Sequence, residues 1–113
     1  MNIDKKKLEI EIEGGKFIFN DADINVFEKI TEAQKKTDFR TLYQLTMDHL
    51  IGIENVFSGD KELTLDEFKS ASISSAAAIR IPREYIEALN KNLLSEFGLD
   101  KRQAEKNDVS LTA

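Results

Sequence analysis

KLEIEIEGGKFIFN, residues 7–20, is the stretch that decides the fold. Leu8, Ile10 and Ile12 alternate with Glu9 and Glu11, the period of two that marks a strand with one wet face. The pair Gly14–Gly15 follows, and glycines suit the positive-φ positions of a two-residue hairpin turn. Folding about that turn pairs Glu13 with Lys16, Ile12 with Phe17 and Ile10 with Phe19, and sets Glu11 opposite Ile18. Opposite charges then flank the turn, and the apolar pairs share a face. A hairpin alone is not stable in water, so helices are expected to cover its apolar side.

Downstream of the hairpin, Asn20, Asp21 and Asp23 each offer an acceptor to the free N–H groups of a helix start. Ile24, Phe27, Ile30 and Ala33 repeat at helical spacing, with Val26 nearby, and predict a helix from Ala22 or Asp23 to about Lys36. Lys35 and Lys36 lie where positive charge complements the helix dipole. A second helix is predicted from Asp38 to about Glu54, with a wide apolar band of Phe39, Leu42, Tyr43, Leu45, Met47, Leu50, Ile51 and Ile53 that places it at the centre of the core. Gly52 weakens its last turn. Residues 54–63 read as a loop with turn residues Ser58, Gly59 and Asp60.

Thr64 and Glu67 form a capping box, which starts a third helix carrying Leu65, Phe68, Ala71 and Ser72. The run SASISSAAAIR (70–80) suits either close approach between elements or a mobile connection. Pro82 fits the first turn of a fourth helix, where its missing N–H costs nothing. Tyr85 or Ile86, Leu89, Leu93 and Phe97 form its stripe, and Gly98 ends it. Residues 99–113 carry no stripe and are expected to form a polar, flexible tail. The expected fold class is α+β, with an N-terminal antiparallel β-hairpin packed on a mainly α-helical body of about four helices. One domain spans 1–98, with the hairpin at 7–19 and the helical body at 22–98.

Composition removes several functions. The absence of cysteine excludes disulfides, thiolate zinc sites and cysteine nucleophiles. A single histidine, His49, excludes designs that need two. The formal charge of −5 argues against nucleic acid as a partner, since phosphate backbones demand a basic stripe. No apolar run is long enough for a membrane span, and MNIDKKKLEIEIE has no apolar stretch after its lysines, so neither a membrane partner nor a secretory signal is expected. A cytoplasmic protein is the expectation.

DADINVFEKITE (21–32) sets Asp21, Asp23, Asn25 and Glu32 at positions 1, 3, 5 and 12 of a calcium-binding loop. Val26 stands where that loop needs glycine, Glu28 stands where it is apolar, and a strand precedes it rather than a helix. An N-capped helix is the preferred reading. GDKELTLDEF (59–68) fails more clearly, because aligning Glu67 as last ligand puts Val56 first and Lys61 at the glycine. His49 is flanked by no nucleophile in a recognisable motif and reads as structural. Glu9, Glu11 and Glu13 read as a solvated edge face that discourages strand pairing. Phe57 lies beside a turn, where an aromatic either folds back on the core or marks a partner-binding spot. No catalytic, cofactor-binding or metal residue is assigned, and no cofactor is expected.

KLEIEIEGGKFIFN, followed by NDADINVFEKITEAQ (20–34) and ENVFSGDKELTLDEF (54–68), resembles the small tail assembly chaperones of long-tailed bacteriophages and prophages. The likeness covers about the first two-thirds of the chain. It implies a short hairpin before a purely helical body and a noncatalytic role: coating the long helical tape measure protein while the tail tube polymerises around it, in the host cytoplasm. It assigns no individual binding residues. An apolar groove in the helical body would take a partner helix, and self-association would give multivalent coating. The apolar band is wider than one small core needs, so a homo-oligomer is expected, and the resemblance implies the tape measure or another tail protein as partner. The alternative is a small acidic regulatory or inhibitory protein of a mobile element that binds a host protein. A calcium-binding module ranks below both, and an enzyme is the least expected reading.

Overall fold

A computed structural model describes residues 7–96. It has the α+β architecture: an antiparallel hairpin of β1 (Lys7–Ile12) and β2 (Gly15–Asn20), then α1 (Ile24–Lys35), α2 (Phe39–His49), β3 (Leu50–Glu54), β4 (Phe57–Ser58), β5 (Lys61–Glu62), α3 (Leu65–Ser72) and α4 (Ala77–Glu96). Phe97, the stop at Gly98 and the tail at 99–113 lie outside the described residues, as do residues 1–6.

The hairpin turns one residue earlier than the glycine pair predicts. Ile12 pairs with Gly15, Glu11 with Lys16, Ile10 with Phe17 and Leu8 with Phe19. Glu13 (φ 51°) and Gly14 (φ 82°) are the two turn residues, the left-handed pair that matches strand twist. Gly15 is a strand residue in close contact. A Cβ there would meet the Val56 side chain at 3.2 Å and the Asn55 carbonyl at 3.3 Å. The pairing thus slips by two residues, which leaves Leu8, Ile10, Phe17 and Phe19 on the face first assigned to them.

The second helix ends at His49, not near Glu54, so the body is not purely helical. Residues 50–54 form a strand that pairs with β2, giving a sheet of order β1-β2-β3. Ile18 opposes Gly52 and Phe19 opposes Leu50, so Ile51 is an extra, bulged residue. The bulge re-phases the strand. Leu50 and Ile53, three apart, both come to the core side opposite Phe19 and Phe17. A spacing of three, natural on a helix, is thereby satisfied on a strand. β4 and β5 pair as a second, two-stranded unit within the predicted loop.

The helices cover one face of the sheet. Phe19, Leu50, Tyr85 and Leu89 are all but sealed from solvent at the centre of the core. On α1 the buried stripe is Val26, Ile30 and Ala33; Ile24, assigned to the stripe from sequence, is 73% exposed. Asp23 caps α1 through its Oδ1, which accepts from the Val26 N–H. The helix closes by a Schellman pattern, Asp38 N–H to Ala33 C=O and Thr37 N–H to Gln34 C=O. Thr37 (φ 54°) fills the left-handed position that glycine usually takes. Asp38 then caps α2, accepting from the Thr41 N–H.

The capping box at Thr64 and Glu67 forms as predicted, with both reciprocal bonds present. Along α3 it is Ser72, not Ala71, that is buried beside Phe68. The helical run is interrupted after Ser72, and α4 begins at Ala77, about a turn and a half before Pro82. Ser75 makes this early start possible: its Oγ accepts from the Ala77 N–H. Pro82 therefore sits inside the helix, where it denies the Ala78 carbonyl its i→i−4 donor. Among the described residues, no helix is long and apolar enough to cross a membrane.

Candidate protein-binding grooves

The small-residue run resolves into a wall. Ala71, Ser72, Ser75 and Ala77 line one side of a hollow of about 510 Å³. Ile12, Gly15 and Phe17 from the hairpin form the opposite side, and Asn55, Val56 and Phe57 close it from the β3–β4 connection. Phe17 and Phe68 meet beneath it with ring centroids 5.4 Å apart and planes tilted by 58°. The small side chains of Ala71, Ser72, Ser75 and Ala77 leave this space open, because none of them is long enough to fill it. Tyr43 fixes the wall by a hydroxyl contact of 2.7 Å to Ser72 Oγ and by donating to the Lys69 carbonyl at 3.2 Å.

The lip of this hollow carries both an aromatic and a charge pair. Phe57 is 55% exposed, so it does not fold back on the core. Arg80 Nη1 lies 3.0 Å from Glu13 Oε1 and ties the hairpin turn to α4.

A second hollow, also about 510 Å³, lies between α2 and the other side of α4. Phe39, Leu42, Ile79, Pro82 and Ile86 supply its apolar surface, with Thr37 at one end. Phe39 and Ile79 are both more than half exposed, against the core role that the helical band gave to Phe39. At 3.6 residues per turn, Ala77, Arg80 and Ile81 face the first hollow while Ile79, Pro82 and Ile86 point roughly opposite. Helix α4 is the partition between the two.

Glu13, Thr37 and Asn55 are the non-glycine residues with positive φ among the described residues. Glu13 and Asn55 line the first hollow, and Thr37 lines the second. The chain turns at each of these residues, so the turns border the hollows.

The other residues singled out from sequence serve local structure. Asp21 Oδ1 accepts from the Ala22 N–H at 2.9 Å, and Asp23 is the cap of α1. Glu32 pairs with Lys36 at 3.1 Å, and Asn25 is exposed on the first turn of α1. No group of three or more histidine or acidic side chains is placed to hold a metal ion among the described residues. His49 Nδ1 is 2.8 Å from the Leu45 carbonyl, and the ring stacks toward Tyr85 at 6.3 Å. Glu9 pairs with Lys16 at 3.3 Å across the hairpin, and Glu11 is exposed.

The chain matches no protein-family model, no curated protein and no solved structure.

Proposed function

We propose that this chain is a noncatalytic tail assembly chaperone of a long-tailed phage or prophage, which holds an apolar stripe of the tape measure protein in the groove between the hairpin and the α3–α4 wall. The observation that carries the reading is that groove itself: an open apolar hollow with small residues on one wall, a largely exposed Phe57 on the lip and one ion pair at the rim. A partner helix reads such a surface through side chains at i, i+3, i+4 and i+7. Phe57 is the anchor that would lose most water on binding. The likeness of residues 7–68 to tail assembly chaperones supports the choice of partner. Action in the host cytoplasm and as an oligomer belongs to the same proposal.

Ala71→Trp tests it. Ala71 is exposed and lines the groove, so tryptophan fills the hollow without cutting a core contact. Tagged wild-type protein is expected to retain a long helix-rich tail protein, and the filled variant to lose it while keeping its circular dichroism spectrum. The same partner held equally by both overturns the groove assignment.

The exposed Glu9 and Glu11 on edge strand β1 favour a second reading, an acidic regulator that binds a basic host protein. Binding that collapses with added salt and ignores Ala71→Trp would select it.

A further inference from the structure

The hollow between α2 and α4 is set apart from the proposed partner groove by the body of α4, and its features match one another. It presents two apolar knobs, Phe39 (58% exposed) and Ile79 (56% exposed), beside a recess backed by Leu42, Pro82 and Ile86. Arg83 and Glu87 stand on its rim one turn apart on α4, both exposed and of opposite sign. Among the described residues, the ion-pair contact of Arg83 is a loose one with Glu84, at 3.7 Å. An isologous interface requires such a patch, one that is complementary to itself.

We propose that this face binds a second copy of the chain about a two-fold axis. The axis crosses α4 between Arg83 and Glu87, so the two helices run antiparallel and Arg83 of each copy faces Glu87 of the other. The two hollows close over one another, and Phe39 and Ile79 leave water on both sides. Thr37 holds the chain at the start of α2 in a left-handed conformation, which sets the α1–α2 corner that presents Phe39. The patch is smaller than the roughly 20–30 residues a side of a standard interface, so the dimer is a weak one, with a dissociation constant on the order of micromolar or above. The assignment uses the opposite side of α4 from the partner groove and stands whether or not that groove binds a tail protein.

Sedimentation equilibrium on the full chain tests it, up to about 1 mM, the weak end of specific association. The wild type is expected to show a reversible monomer–dimer equilibrium. Phe39→Ser is expected to raise the dissociation constant by about tenfold or more, as loss of an interface anchor does. Arg83→Glu and Glu87→Arg are each expected to weaken the dimer, and the double exchange to restore it, which a merely structural role would not do. Both residues are exposed, so the folded state is retained and is checked by circular dichroism. Ile24→Ser, at an exposed apolar residue outside both hollows, is expected to leave association unchanged. A strict monomer across the range, a dimer indifferent to Phe39→Ser, or a double exchange no tighter than the single ones would overturn the proposal.

Discussion

Phe19 and Tyr85 stack with ring centroids 4.4 Å apart and planes 27° from parallel, joining the middle of the sheet to α4. Both side chains are sealed from solvent, and the Tyr85 hydroxyl has no hydrogen-bond partner among the described residues. The ring contributes packing, while the hydroxyl is desolvated without return.

Tyr85→Phe keeps the stack and removes the unpaired hydroxyl. It is expected to raise unfolding free energy by about 1 kcal/mol, measured by urea denaturation near neutral pH. Burial, with the Asp21 carboxylate adding to it, raises the Tyr85 pKa well above its ordinary value of 10.0. The unfolded chain releases this proton near pH 10 and the folded chain keeps it, so the contribution is whole below pH 10 and is lost as pH rises beyond it. The wild type should therefore lose stability above pH 10 more steeply than Tyr85→Phe. Equal slopes, or a destabilised phenylalanine variant, would contradict the packing described.

At the acid end the relevant group is Glu67. The Lys61 ammonium, then the backbone and hydroxyl of Thr64, lower its pKa from 4.5 to about 2. A depressed carboxylate contributes stability above its unfolded pKa and loses it as pH falls through the folded one. Thermal melts of Glu67→Gln and wild type between pH 4.5 and 2 should show the smaller pH dependence in the variant. The glutamine amide oxygen still accepts from the Thr64 N–H, so the helix start itself persists.

Thr37 is β-branched in a left-handed site, which costs it about 1–2 kcal/mol relative to glycine. Glycine gives part of that back through greater freedom in the unfolded chain. Thr37→Gly is expected to stabilise by about 0.5–1 kcal/mol in chemical denaturation, while Thr37→Val, with no such relief, should not.

Gly15 makes the converse prediction. Its site is tight for a methyl group, which would lie 3.2–3.3 Å from the Val56 side chain, the Asn55 carbonyl and the Ile12 carbonyl, two of them backbone atoms that yield little. Gly15→Ala is expected to destabilise by about 1–3 kcal/mol, the usual cost of overpacking, and to loosen the β2–β3 approach in hydrogen exchange.

The α+β class, the hairpin faces and three helix starts were legible because each rests on local chemistry: alternation in residues 8–12, Asp23 before α1, Asp38 before α2, and the Thr64–Glu67 box. Strand β3 was not. Leu50 and Ile53 have helical spacing, and only a bulge at Ile51, formed against β2, puts both on one face of a strand. Pro82 misplaced the start of α4 because the Ser75 hydroxyl, a distant enough signal, begins the helix earlier. The grooves were hidden for a related reason. The run at 70–80 showed that backbones could approach closely, but whether they do depends on what faces them, and the hairpin leaves that space open. Phe39 and Ile79 carry core-like residue types on faces that no other element of the described chain covers.

The most direct test of the account is affinity capture of tagged wild type and Ala71→Trp from source cells with the mobile element induced, read by quantitative mass spectrometry. The account predicts one dominant long, helix-rich tail protein with the wild type and its loss from the filled-groove variant. Capture of a host regulator instead, or the same tail protein at equal abundance with both baits, would contradict it.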